Sequence, residues 1–93
     1  MDIRISQSED KNSGRVVLRV EGRLTQDAAE LLEGVCTRFL NRSYADLCID
    51  VDGINFISED GAKVLCRLKH LQHVQLAGCR LFTERLVEQA EAR

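Results

Sequence analysis

The sequence has no proline and no tryptophan, and its aromatic residues are one tyrosine and three phenylalanines. A chain this poor in aromatics has little with which to stack unpaired bases. An excess of one charge is missing too. Thirteen basic residues stand against 15 acidic ones, for a formal net charge of −2. With no basic stripe, nucleic acid is not an expected partner. Apolar runs stop after a few residues, so nothing reads as a membrane span and no direct insertion is expected. The opening Met1-Asp2-Ile3-Arg4-Ile5 alternates and lacks the apolar block of a secretory signal. The expected location is the cytoplasm. Cysteine is present four times, at 36, 48, 66 and 79, but never as Cys-x-x-Cys. That weakens zinc and redox readings, and apolar neighbours make free, buried thiols the expectation.

What is present suits a single domain over residues 1–93, with 44% hydrophobic and 30% charged residues. Residues 2–6 alternate as a short half-buried strand, the polar stretch 7–14 reads as a hairpin loop, and 15–21 alternate again with Val16, Leu18 and Val20 on one face. Gly22 is expected to end that strand. Thr25 is a plausible N-cap for a helix over about 26–40, with Ala28, Leu31, Leu32, Val35, Cys36 and Phe39 at helical spacing. Residues 46–51 read as a strand with Leu47, Ile49 and Val51 on one face, ended by an Asp52-Gly53 turn. Ile54, Phe56 and Ile57 are expected to tuck toward the core. Ser58 then looks like a second N-cap, with Glu59 and Asp60 in the first turn.

The stretch after Asp60 has two readings. Val74-Gln75-Leu76 could be a strand. The preferred reading runs the helix from about 59 to 76, with Val64, Leu65, Leu68 and Leu71 in its buried stripe and Gly78 as its cap. Residues 79–83 then supply the last strand and 84–92 a short final helix. The result is an α/β domain (α+β by some criteria): a four-stranded mixed β-sheet with amphipathic helices, in the order β-β-α-β-α-β-α.

Two polar groupings qualify as candidate chemistry and are outweighed. Cys66, His70 and His73 could line one helix face as metal ligands, but a fourth ligand and supporting shell are wanting. Asp50 and Asp52 share a strand face, yet strand and turn chemistry account for both. No phosphate loop, nucleophile elbow or His-Glu-x-x-His motif occurs. The expectation is a protein that is not an enzyme, with no catalytic residue, cofactor or metal.

The ordered set Leu18-Arg19-Val20-Glu21-Gly22-Arg23-Leu24-Thr25, an amphipathic helix, Leu47 through Gly61, and Leu76-Ala77-Gly78-Cys79-Arg80-Leu81-Phe82 resembles the STAS domain of bacterial anti-sigma factor antagonists. The likeness spans about Ile3 to Leu86. It implies a STAS-like fold, partner switching in transcription regulation and signalling, and a protein partner that is an anti-sigma factor and serine kinase. The alternative it allows is an accessory subunit of a membrane transport ATPase assembly. In the family, the loop after the third strand typically reads Phe-x-Asp-Ser-Ser-Gly, and the second Ser takes phosphate. Here Phe56 and Gly61 match, Ser58 stands for the Asp, Glu59 for the first Ser, and Asp60 for the phospho-acceptor. The resemblance therefore assigns partner binding to Phe56, Ser58, Glu59, Asp60 and Gly61, and the departure makes this a non-phosphorylatable switch. Phosphoserine would bring a charge of about −1.5 to −2 and three acceptor oxygens. Asp60 with Glu59 supplies similar charge without that geometry.

Overall fold

The computed structural model describes residues 3–42 and 46–78. Strands β1 (Ile3–Asp10) and β2 (Arg15–Leu24) form an antiparallel hairpin, in unbroken register from Ile3 opposite Gly22 to Asp10 opposite Arg15. The Gly14 N–H donates to the Asp10 carbonyl (2.8 Å) and the Asn12 N–H to the Asp10 carboxylate (3.0 Å), closing the turn. Residues 7–10 are thus strand rather than loop. Pairing with β2 holds them in the ladder on one side, so their side chains can be polar and exposed.

Gly22 does not end β2. It sits at φ +107°, and the register against the next strand slips between Arg19 and Glu21 and again between Gly22 and Arg23. Glycine adopts that conformation without a Cβ clash. The chain passes through an irregularity and stays in the sheet as far as Leu24.

Helix α1 (Gln26–Arg42) starts at Thr25 as its sequence suggests. The Ala28 N–H donates to Thr25 Oγ1 (3.5 Å) and the Ala29 N–H to the Thr25 carbonyl (2.8 Å). Ala28, Ala29, Leu32 and Cys36 are fully buried. Leu31, which the helical spacing also assigns to the core, is 40% exposed. At 100° per residue it falls beyond the edge of that stripe.

Strand β3 (Leu47–Ile57) runs parallel to β2 and passes through Asp52-Gly53, because pairing resumes with Glu21 opposite Gly53. Leu47, Ile49 and Val51 are buried on one face, as their alternation requires. Helix α2 spans Glu59–Lys69, and β4 (Val74–Ala77) runs parallel to β3, from Val74 opposite Leu47 to Ala77 opposite Asp50. This corrects the helix to residue 76. His73 adopts φ +66°, and its carbonyl oxygen accepts the Leu47 N–H (2.7 Å), which turns the chain into the sheet. Gly78, at φ +72°, follows a strand and does not cap a helix. The fourth described strand is 74–77. Residues 79–83 and the expected final helix 84–92 lie outside the described residues.

The sheet order is β1-β2-β3-β4. Both helices cover one face, where Val16, Leu18, Val20, Leu24, Leu47, Ile49 and Val51 meet Leu32, Cys36, Val64, Leu65 and Leu68 in one core. Arg67 of α2 grips Glu33 of α1 through two hydrogen bonds of 3.0 and 3.1 Å, and that contact raises the guanidinium's proton affinity. Cys36, Cys48 and Cys66 are free thiols. Burial pushes Cys36 up to about 11, so it stays protonated and unreactive near neutral pH.

Candidate partner-binding site

The loop between β3 and α2 is clamped to the end of β2. Ser58 has extended backbone (φ −78°, ψ 167°) and caps α2 by accepting the Gly61 N–H on its hydroxyl at 2.9 Å. The same hydroxyl donates to the Leu24 carbonyl (3.3 Å), which also receives the Ser58 N–H (3.0 Å). The Ala62 N–H closes the first turn on the Ser58 carbonyl (2.9 Å). Gly61 makes this approach feasible: a Cβ there would lie 2.4 Å from the Leu24 carbonyl oxygen. One serine thus joins three elements, and its hydroxyl is engaged as both donor and acceptor.

We expect Ser58→Ala to cost about 1 kcal/mol of stability, the usual worth of an N-cap. Urea denaturation measures it. A loss under a few tenths of a kcal/mol would show that water replaces the hydroxyl at no cost.

Glu59 and Asp60 are exposed in the first turn of α2. Carboxylates at that end complement the helix dipole. Phe56 departs from its expected inward placement. Ile54 and Ile57 are buried, but Phe56 is 38% exposed, and Arg23 lies over its ring at 4.4 Å from the centroid. The two residues are register partners across β2 and β3. The slip after Gly22 is what sets them opposite each other. Arg23 is a site residue that sequence reasoning overlooks. Its only signal is its position directly after Gly22, and that signal becomes informative only once the strand pairing is known. Cation–π contacts of this kind contribute roughly 0.5–1 kcal/mol at exposed positions. The result is an exposed Arg23–Phe56 pair at the ends of β2 and β3 and exposed Glu59 and Asp60 at the start of α2, joined by the clamp of Leu24, Ser58 and Gly61.

The other polar groupings resolve into structural roles. Asp50 accepts Arg19 Nη1 at 3.0 Å and, on its other oxygen, the Asp52 N–H at 3.0 Å. His73 lies in the turn before β4, with Nδ1 2.9 Å from Asp46 Oδ1, and not on a helix face with Cys66. Among the described residues, no three His, Cys, Asp or Glu side chains converge as metal ligands. No described helix is long and apolar enough to cross a membrane.

This architecture, a mixed four-stranded sheet with helices on one face and a capped loop after the third strand, is a STAS-like fold. Solved structures share it, among them these two. An anti-sigma factor antagonist STAS domain from Rhodobacter sphaeroides superposes with a TM-score of 0.61 at 20% identity, over 83% of this chain and 87% of that one. A protein of the DUF3478 family with a SpoIIAA-like fold, from Shewanella loihica PV-4, also gives 0.61 at 18% identity, over 98% of this chain and 78% of that one. No protein-family model and no curated sequence matches the chain.

Proposed function

We propose that this protein is a non-catalytic interaction module that binds a protein partner through the patch Arg23, Phe56, Glu59, Asp60 and the start of α2. The fold supports a STAS-like module. The observation that carries the reading is the Ser58–Gly61 clamp, which holds an exposed aromatic ring and two acids on a base anchored in β2. A preformed patch of this kind loses little conformational entropy on binding. The partner class is an anti-sigma factor of the serine-kinase type, acting in the cytoplasm. Asp60 makes the switch constitutive: a carboxylate cannot be esterified by such a kinase, and its charge occupies the phospho-acceptor position permanently.

Asp60→Ser tests this. Against an anti-sigma factor kinase from the same genome, titration calorimetry should show tighter binding by the variant, by about tenfold, or ~1.4 kcal/mol. Incubation with ATP should put phosphate on the variant's loop and none on the parent's. Equal affinities, or stoichiometric phosphate on the parent loop, would remove the locked-switch reading. A second reading, an accessory subunit of a transport ATPase assembly, draws on the same observation: a loop whose serine hydroxyl is engaged in its cap suits a permanent structural contact. Binding to an ATPase subunit and not to the kinase would favour it.

A further inference from the structure

Among the described residues, strand β1 is a sheet edge of eight residues, twice the length of the opposite edge β4. Natural edges are blunted by proline, lysine, bulges or brevity. β1 has no proline, lysine or bulge: its sequence is Ile3-Arg4-Ile5-Ser6-Gln7-Ser8-Glu9-Asp10, its register against β2 is unbroken, and its edge protection rests on the charges Arg4, Glu9 and Asp10. Within the chain Arg4 already lies opposite Glu21 and Asp10 opposite Arg15, and on the outer side of the strand a second copy would set these two charges against each other as well. Ile3 and Ile5 are half-buried against the core, so alternation puts Arg4, Ser6, Ser8 and Asp10 on the face away from the helices.

Two copies pairing antiparallel about a two-fold axis perpendicular to the sheet keep their helix faces on one side and oppose only residues of the same face. The register centred on Gln7 then sets Arg4 opposite Asp10 twice over, with Ser6 opposite Ser8 and Ile5 opposite Glu9. Moving one step to centre on Ser6 sets Arg4 against Ser8 and Glu9 against Ile3. Centring on Ser8 leaves Arg4 beyond the strand. Opposite charges directly across a pair are favourable, so charge selects one register.

A second feature points the same way. Glu33 on α1 faces α2 through Arg67, and α1 packs on β2 while α2 packs on β3 and β4. Leu31, 200° around the helix from Glu33, is therefore on the flank toward β1, and it is among the most exposed large apolar side chains described. The same two-fold brings the Leu31 flanks of both copies to face each other above the junction.

We propose that this protein forms a symmetric homodimer through β1, with one sheet continuous across both copies and reciprocal Arg4–Asp10 pairs. Sedimentation velocity over a concentration series tests it. The parent chain should sediment at twice the chain mass. Arg4→Glu alone and Asp10→Arg alone should each weaken association at least tenfold, because each homodimer then holds two like-charge pairs. An equimolar mixture of the two variants should recover the dimer, because the mixed pair holds two opposite-charge contacts, one with the native sign and one reversed. Asp10 also closes the hairpin turn, so Leu31→Asp, remote from that turn, serves as a second probe and should weaken association as well. A parent that stays monomeric throughout overturns the proposal. So does a mixture that remains monomeric while both variants keep native circular dichroism, or a dimer indifferent to Leu31→Asp.

Discussion

Gly61→Ala destabilises the fold by about 2–3 kcal/mol, a typical overpacking cost, even though alanine is the better helix former by ~1 kcal/mol. The new Cβ would lie 2.4 Å from the Leu24 carbonyl oxygen and 3.3 Å from both the Leu24 Cγ and the Ser58 Oγ. That carbonyl is held in place by the Ser58 N–H and hydroxyl, so it cannot swing aside without losing both. Relief has to come from lifting the first turn of α2 off β2, which breaks the Ser58–Gly61 cap. Thermal unfolding followed by circular dichroism should show a midpoint lower by about 10–20 °C. A shift of a degree or two would mean that the clamp yields freely and that the patch is not rigid. Partner affinity should fall as well, since the patch would lose its base.

Leu24→Ala costs about 3 kcal/mol, within the range for leucine truncation in a close-packed interior. Leu24 is fully buried, and its side chain fills the space beneath Gly61 while its backbone anchors Ser58. The substitution leaves the anchoring carbonyl in place, so the loss measures packing alone. Leu31→Ala, at a 40% exposed position, should cost under ~1 kcal/mol in the monomer and serves as the control. Urea denaturation separates the two. Combined with Gly61→Ala, the Leu24 change should be less than additive, because the cavity gives the new methyl room; residues in direct contact couple in this way. Strict additivity would show that the clash at Gly61 is with the carbonyl alone.

Much of the architecture was legible in the residues. Val16, Leu18 and Val20 on β2 and Leu47, Ile49 and Val51 on β3 alternate because one face of the sheet is buried, and all six are core residues. Thr25 and Ser58 declare the helix starts through cap chemistry that acts within three residues. The departures cluster where a distant segment decides. Residues 70–76 carry helix-compatible apolar spacing, but Val74 and Leu76 find Leu47 and Ile49 as parallel neighbours. A strand whose partner lies 27 residues back in the chain leaves no local trace. Leu71, read as part of the buried helix stripe, lies past the end of α2 and is 43% exposed. Gly22 and Gly53 look like stops, yet the pairing of β2 with β3 carries both strands through them.

The candidate site divides along the same line. Side-chain period and capping geometry are local properties, so the order of elements as far as the fourth strand, the core faces of β2 and β3, and the cap at Ser58 followed from the sequence alone. So did the acids at 59 and 60 in the first turn of the helix after the third strand. Register between strands is not local. Only the tertiary structure turned Phe56 outward, laid Arg23 over it, and tied the Ser58 hydroxyl to Leu24. Each of these depends on the slip in pairing after Gly22, a relation between residues more than 30 positions apart.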